Sequence, residues 1–280
     1  MNPNSRKSFE WMVYLQQRQR AMLKDRDDVL LELYKLCDND RQVELLKDLI
    51  TRFDFFDEDI YNLALFEIVK YILRLGCSID EIAIVAFCRD HSADSSLAVL
   101  NDIKVPLSKA FGRSIKTINR FDKIVANYNK GIKHFIAVDE FIGSGHTLSN
   151  RHKEFINFRL PGATIDYCLV AGMEDAVRIA KDEGINLCVG YTMKKGISGF
   201  YSGEKLSHSL EDMCLLENKL AQSIGSLLLD DYRFGYRQSE ALYSKCYANV
   251  PNNVFPIFWW KRGKQGNDRI TLFDRVQDGY

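Results

Sequence analysis

An α/β fold built on a mainly parallel sheet is what this chain of 280 residues predicts. Short unbroken apolar runs, IAIVAF at 82–87 and FIAV at 135–138, have the pattern of strands buried on both faces between helices. Segments with apolar residues three or four apart alternate with them, which is the helical period. Strands that alternate with helices imply right-handed crossovers and a parallel sheet.

From Ser8 to about Arg74 the period is helical, in the segments FEWMVYLQQRQRAMLKD, DDVLLELYKLC, DRQVELLKDLITRF and EDIYNLALFEIVKYILRL. Asp57 and Asp59 are placed to cap the last of these, and Gly76 to stop it. Beyond Gly76 the period changes. Strands are expected at IAIVAF, KHFIAVDE, TIDYCLVAG from Thr164 and INLCVGYTM from Ile185, with a helix over 174–183 between the last two. After about Gly199 the helical period returns through SLEDMCLLENKLAQSIGSLLLDD, and a tail rich in aromatics, glycine and proline follows. The division read from these shifts is a helical region over 1–77, an α/β core over 78–199 and a C-terminal cap over 200–280. No repeat or low-complexity linker separates them, so one compact unit is expected.

Composition narrows the functional classes. Lysine plus arginine and aspartate plus glutamate are 38 each, so no global field draws the chain to nucleic acid or membrane. No segment has the unbroken apolar character of a signal peptide or a bilayer span, and a cytoplasmic protein is expected. The seven cysteines are scattered without a CxxC pair, which argues against a zinc site or disulfide framework and for reduced, mostly buried thiols.

The stretch FIAVDEFIGSGHT, 135–147, carries the chemistry. An apolar strand delivers Asp139 and Glu140 to the carboxyl edge of the sheet, where open α/β folds place their ligands. Gly143, Ser144, Gly145, His146 and Thr147 can then curl so that several N–H groups face one anion, helped by the positive end of the next helix. Carboxylates accept from vicinal ribose hydroxyls while such a turn holds a 5′-phosphate. A Walker A loop needs Gly-Lys-Ser/Thr where this chain has Gly145-His146-Thr147, and the dinucleotide fingerprint needs a third glycine where Leu148 stands. A strand-turn-helix junction with an acidic strand end is the plain alternative.

This run resembles the signature of the type I phosphoribosyltransferases: hydrophobic strand, two acids, two apolar residues, then a small-residue phosphate loop ending in threonine. The resemblance implies a phosphoribosyltransferase type I-like fold. It also implies that residues 143–147 bind the 5′-phosphate of phosphoribosyl pyrophosphate (PRPP), and that Asp139 and Glu140 are the catalytic acids that hold its ribose and, directly or through water, Mg²⁺. Pro251-Asn252-Asn253, Pro256-Ile257-Phe258-Trp259 and Leu272-Phe273-Asp274-Arg275 are similar to one branch, the PRTase-CE domains of bacterial conflict and antiphage systems, over roughly Arg52 to Arg275. The position of Gly143 is an aspartate in some salvage members, so a base-specific proton transfer is not implied.

Pyrophosphate contacts implied by the same resemblance fall on Arg89, Ser95 and Ser96 after the first core strand, and on Lys109 and Arg113 in the basic stretch before the acidic motif. For Ser95 and Ser96 a helix N-cap is the competing reading, and for the cations a solvated helix face. Trp259 and Trp260 beside Lys261, Arg262, Lys264 and Arg269 read either as buried anchors of the cap or as a platform for single-stranded nucleic acid. The function expected is a PRPP- and Mg²⁺-dependent glycosyltransferase or hydrolase acting as a defence effector, with protein partners from such a system. The alternative is a non-catalytic module that senses PRPP or a nucleotide.

Overall fold

The helical period at the start of the chain produces α1 (Pro3–Arg18), α2 (Asp27–Lys35) and α3 (Asp40–Thr51), followed by a short strand β1 (Asp54–Phe56) and the long helix α4 (Glu58–Arg74). Asn39 caps α3, its side-chain oxygen accepting from the Gln42 N–H. Gly76, at φ +65°, ends α4 in the left-handed conformation that the sequence assigns it. Then come β2 (Ile82–Ala86), α5 (Ser95–Phe111), β3 (Lys116–Ile118), α6 (Ile124–Tyr128), β4 (His134–Ile142), α7 (His146–Asn157), β5 (Thr164–Met173), α8 (Glu174–Asp182) and β6 (Leu187–Met193). The last part holds α9 (Gly203–Glu217), the small hairpin of β7 (Ser223–Ile224) and β8 (Leu227–Leu228), and β9 (Tyr243–Lys245). The computed structural model describes residues 3–88 and 95–276.

Two units partition the chain: Asp59–Met193, and Met1–Glu58 with Lys194–Tyr280. Most of α4 therefore groups with the strands, unlike the 1–77 helical region read from periodicity. A glycine explains its seat there. A Cβ on Gly190 of β6 would lie 2.5 Å from the Ala64 carbonyl oxygen, so the helix backbone presses onto the sheet where no side chain intervenes.

In the unit 59–193 the described strands form one five-stranded sheet in the order β3-β2-β4-β5-β6, with every neighbouring pair parallel. This is the α/β, mainly parallel architecture that the sequence predicts. Along β5 everything after Thr164 is buried, as expected of a strand covered on both faces. Rings of Phe135 and Phe155 (6.2 Å between centroids) and of Tyr167 and His152 (5.9 Å) place α7 on one face. The Tyr71 hydroxyl donating to Asp166 (2.7 Å) places α4 on the other, with α5 beside it through Tyr61 and Asp102.

In the other unit β1 and β9 pair in parallel, and α3 and α9 are joined by Arg41 and the buried Asp212 at 3.1 Å. Its core is aromatic: Phe56, Tyr243, Phe255, Phe258 and Trp260 are fully buried. Arg269 is buried among them, donating to the carbonyls of Trp260 (2.8 Å) and Ile257 (3.2 Å) and facing Glu32 (3.3 Å). The helix read through 209–231 stops at Glu217. Beyond it Gly225, at φ +56°, makes the turn of the β7-β8 hairpin, which no helix could accommodate. Among the described residues no helix is long and apolar enough to cross a membrane.

Candidate functional site

The strand order creates the site. Connections leave β2 toward β3 on one side, while β4, β5 and β6 succeed one another on the other, so the order reverses between β2 and β4. Ligands of open α/β sheets bind at such a reversal, outside the carboxyl ends of the strands. There β2 stops at Ala86, opposite Val138, but β4 runs on beside β5 to Ile142, opposite Gly172. The β2 side of β4 is thus stepped, and Asp139 is the first residue beyond the step.

Asp139 is half-buried and anchored: its Oδ1 accepts from the Glu140 N–H (2.7 Å) and from the Ser95 hydroxyl (2.8 Å) at the start of α5. The loop that follows, Gly143 to Gly145, leads directly into α7. Gly145 has φ +79° and ψ −12°, a left-handed conformation natural to glycine, and supplies no capping side chain. The N–H groups that open α7, at His146 and Thr147, have no acceptor within a helix, and the helix dipole adds positive potential there. His146 and Thr147 are exposed, Ser144 is half-buried, and Gly143 and Gly145 are buried. The His146 Nε2 accepts from the Asn150 amide one turn along (3.1 Å), which holds the ring on its own helix.

Glu140 points elsewhere. Because β4 stays extended through both acids, its pleat sends adjacent side chains to opposite faces. Asp139 shares a face with Phe135, toward α7, whereas Glu140 shares one with Ile136 and Val138, toward α4. Only 6% of Glu140 is exposed. On that side Tyr61, itself buried, donates to Asp102 Oδ2 of α5 (2.8 Å). Burial first, then the Asp102 bond and charge and the charge of Glu140, raise the pKa of the Tyr61 phenol. Tyr61→Phe removes one bond between α4 and α5, and a loss of about 1 kcal/mol in urea-unfolding stability is expected. An unchanged midpoint would show that Asp102 finds a replacement partner.

The remaining candidates separate sharply. Arg89 lies outside the described residues. Ser95 joins the site through Asp139, but Ser96 is fully buried and its hydroxyl accepts from the Cys88 N–H (3.2 Å), which closes the end of β2. Lys109 and Arg113 are carried away from the acids. Helix α5 starts at the carboxyl edge and rises about 1.5 Å per residue, so Lys109 in its last turn lies roughly 20 Å along the axis from Ser95. Arg113 pairs with Asp80, ahead of β2, at 2.7 Å, on the opposite edge of the sheet. The sequence places these cations before the motif, but the helix between turns them to its far end.

Tyr61, Asp102 and Arg151 are neighbours of the site that sequence reasoning did not find. Arg151 of α7 donates through Nε to the Phe87 carbonyl (3.0 Å), tying that helix to the end of β2. Nothing local in the sequence signals these roles, since each acts across the sheet or between helices. Trp259 and Trp260 are 2% and 0% exposed, so their rings pack the core and offer no stacking platform for a nucleic acid. Among the described residues no group of three or more His, Cys, Asp or Glu is arranged to hold a metal ion.

The parallel five-stranded sheet and its order belong to a phosphoribosyltransferase-like α/β protein. The PRTase-CE family model matches residues 17–275, and the chain belongs to that family. No curated protein matches it. Solved structures similar to it include an orotate phosphoribosyltransferase from Aeropyrum pernix, 15% identical, covering 56% of this chain and 78% of that one with a TM-score of 0.33. Another is the Helicobacter pylori xanthine-guanine-hypoxanthine phosphoribosyltransferase, 12% identical, covering 50% and 83% with a TM-score of 0.30.

Proposed function

We propose that the carboxyl edge of the sheet binds PRPP or a related ribose 5-phosphate, with Asp139 accepting from a ribose hydroxyl and residues 143–147 receiving the 5′-phosphate. The observation that carries this reading is the juxtaposition of Asp139 with the Gly145 turn and the uncapped start of α7. In the transferase form of the reading, the ribosyl group passes from pyrophosphate to an acceptor nucleophile or to water. Asp139 orients the ribose hydroxyls and its charge favours the positive character that develops at the anomeric carbon.

The residues fit a magnesium ion that arrives with its ligand better than one caged by protein. Magnesium keeps several waters and binds through one or two carboxylates plus substrate phosphates, and Asp139 is the carboxylate so placed. When bound it would neutralise charge on the pyrophosphate. Glu140, turned toward α4, contributes through Tyr61 and the seating of β4. That orientation favours a second reading, a PRPP or nucleotide sensor that binds without turnover. Service in antiphage defence is the role expected from the family resemblance, and loss of phage protection in an Asp139→Ala strain would support it.

Calorimetric titration of PRPP, with and without Mg²⁺, tests the site. Wild type should bind in a magnesium-dependent manner, and the Asp139→Ala, Glu140→Ala double variant should bind at least about tenfold more weakly, since a hydrogen bond to a charged group contributes roughly 1.5–3 kcal/mol. A well-folded wild type that does not bind PRPP overturns the proposal. Pyrophosphate release then separates transferase from sensor.

A further inference from the structure

Cys168 and Cys188 are twenty positions apart in sequence and directly opposite each other in the sheet, as registered partners of the parallel strands β5 and β6. Registered residues of neighbouring strands sit about 4.8 Å apart and project to the same face. That separation falls inside the roughly 4.4–6.8 Å Cα window of disulfides. The side chains of Cys168 and Cys188 therefore leave the sheet side by side on one face. Cys37, Cys77 and Cys88 instead turn their thiols to main-chain carbonyls, of Leu33, Leu75 and Asn119.

Their surroundings differ in a useful way. Cys168 is fully buried, whereas Cys188, near the edge of the sheet, is half-buried. Around them on the α4 side lie Glu67, Tyr71 and Asp166, with the Tyr71 hydroxyl committed to Asp166. Burial raises the pKa of the Cys168 thiol. Cys188, the more exposed of the two, is the thiol that a small oxidant reaches first, and Cys168 stands registered beside it.

We propose that Cys168 and Cys188 form a reversible oxidation site, in which a peroxide or a small-molecule disulfide converts the pair to a cross-strand disulfide. With hydrogen peroxide, the Cys188 sulfur attacks one oxygen, the O–O bond breaks, and water leaves as Cys188 becomes a sulfenic acid. The Cys168 sulfur then displaces the hydroxyl as a second water, and the S–S bond forms. Two thiols and one peroxide give one disulfide and two waters. With a small disulfide, two thiols leave instead.

The test is to oxidise the folded full-length chain with hydrogen peroxide, alkylate the remaining thiols and map the digest without reductant. The expected result is a linked pair of peptides containing Cys168 and Cys188, regenerated as free thiols by dithiothreitol, with the circular dichroism of the fold retained. In Cys168→Ala the Cys188 sulfenic acid should persist and be trapped by dimedone; in Cys188→Ser, Cys168 should stay reduced. The inference is overturned if wild type, still folded, keeps both thiols alkylatable, or if Cys188 oxidises beyond the sulfenic stage without linking to Cys168. The wild-type map decides the matter even where a variant fails to fold.

Discussion

Stability of the protein should fall as pH rises from about 5 to about 8, and Glu217→Gln should remove most of that fall. Glu217 ends α9 and is fully buried, its two oxygens accepting from the Phe234 N–H at 3.1 and 3.3 Å. Burial raises its pKa from the ordinary 4.5 to about 8, although the Phe234 bond and the charge of Arg233 pull the other way. The folded protein keeps a proton that the unfolded chain releases above about 4.5. Its contribution is full below that pH and is lost as pH rises through the folded value. A tenfold difference in proton affinity between the folded and unfolded states is worth about 1.4 kcal/mol, so the whole change is of order several kcal/mol. Glutamine keeps the shape and the accepting oxygen without the charge. Urea unfolding at about pH 5, 7 and 9 measures the difference between wild type and variant, which cancels other titrating groups. Parallel curves would mean that the buried carboxyl ionises without cost, through water entry or closer approach of Arg233.

Gly235→Ala should be among the most damaging single-methyl additions in the chain, at roughly 3–5 kcal/mol. Gly235 has φ +79° and ψ +154°, a region essentially reserved for glycine, which costs another residue about 1–3 kcal/mol. The added Cβ would also stand 1.8 Å from the Asn253 carbonyl oxygen. That oxygen cannot easily retreat, because it accepts from the Ala241 N–H (3.1 Å) and the Ser239 hydroxyl (2.9 Å). Overpacking of this kind adds about 1–3 kcal/mol. Gly131→Ala is the control: its φ is +100°, but nothing lies within 4 Å of the new carbon, so only the backbone cost remains. Denaturant midpoints of the two variants should differ by the packing cost. Equal midpoints would show that the 234–240 segment relaxes around the methyl.

Apolar continuity made β2, β4 and β5 legible, because strands covered on both faces need unbroken runs; β6, half-buried at the sheet edge, was legible from the shorter apolar stretch in INLCVGYTM. Strand β3 was not, since three residues, Lys116 to Ile118, at the sheet edge within a basic stretch carry no such run. Nor was the pairing of β1 with β9, whose partners lie almost two hundred positions apart and whose length is three residues each. The turn at 143–145 was legible because it needs a left-handed residue, and Gly145 takes that conformation at φ +79°. The outward and inward turns of Asp139 and Glu140 depended on how far β4 stays extended, which periodicity does not fix to the residue. Lys109 and Arg113 misled through linear order: adjacency to a motif in sequence says little once a helix as long as α5 intervenes.

The partition of the chain has a consequence for its synthesis. The sheet unit, 59–193, is one uninterrupted stretch and can complete its pairing as soon as it leaves the ribosome, with contacts between near neighbours in sequence. The other unit cannot. Its opening helices must wait through the emergence of the entire sheet before β9 arrives to meet β1 and the aromatic residues around Trp260 close its core. During that interval Phe53 and Phe56 lack the rings of Phe258, Phe273 and Tyr243 that meet them in the finished fold. Nascent chains stalled before Tyr243 should therefore be the form that engages chaperones and proteases.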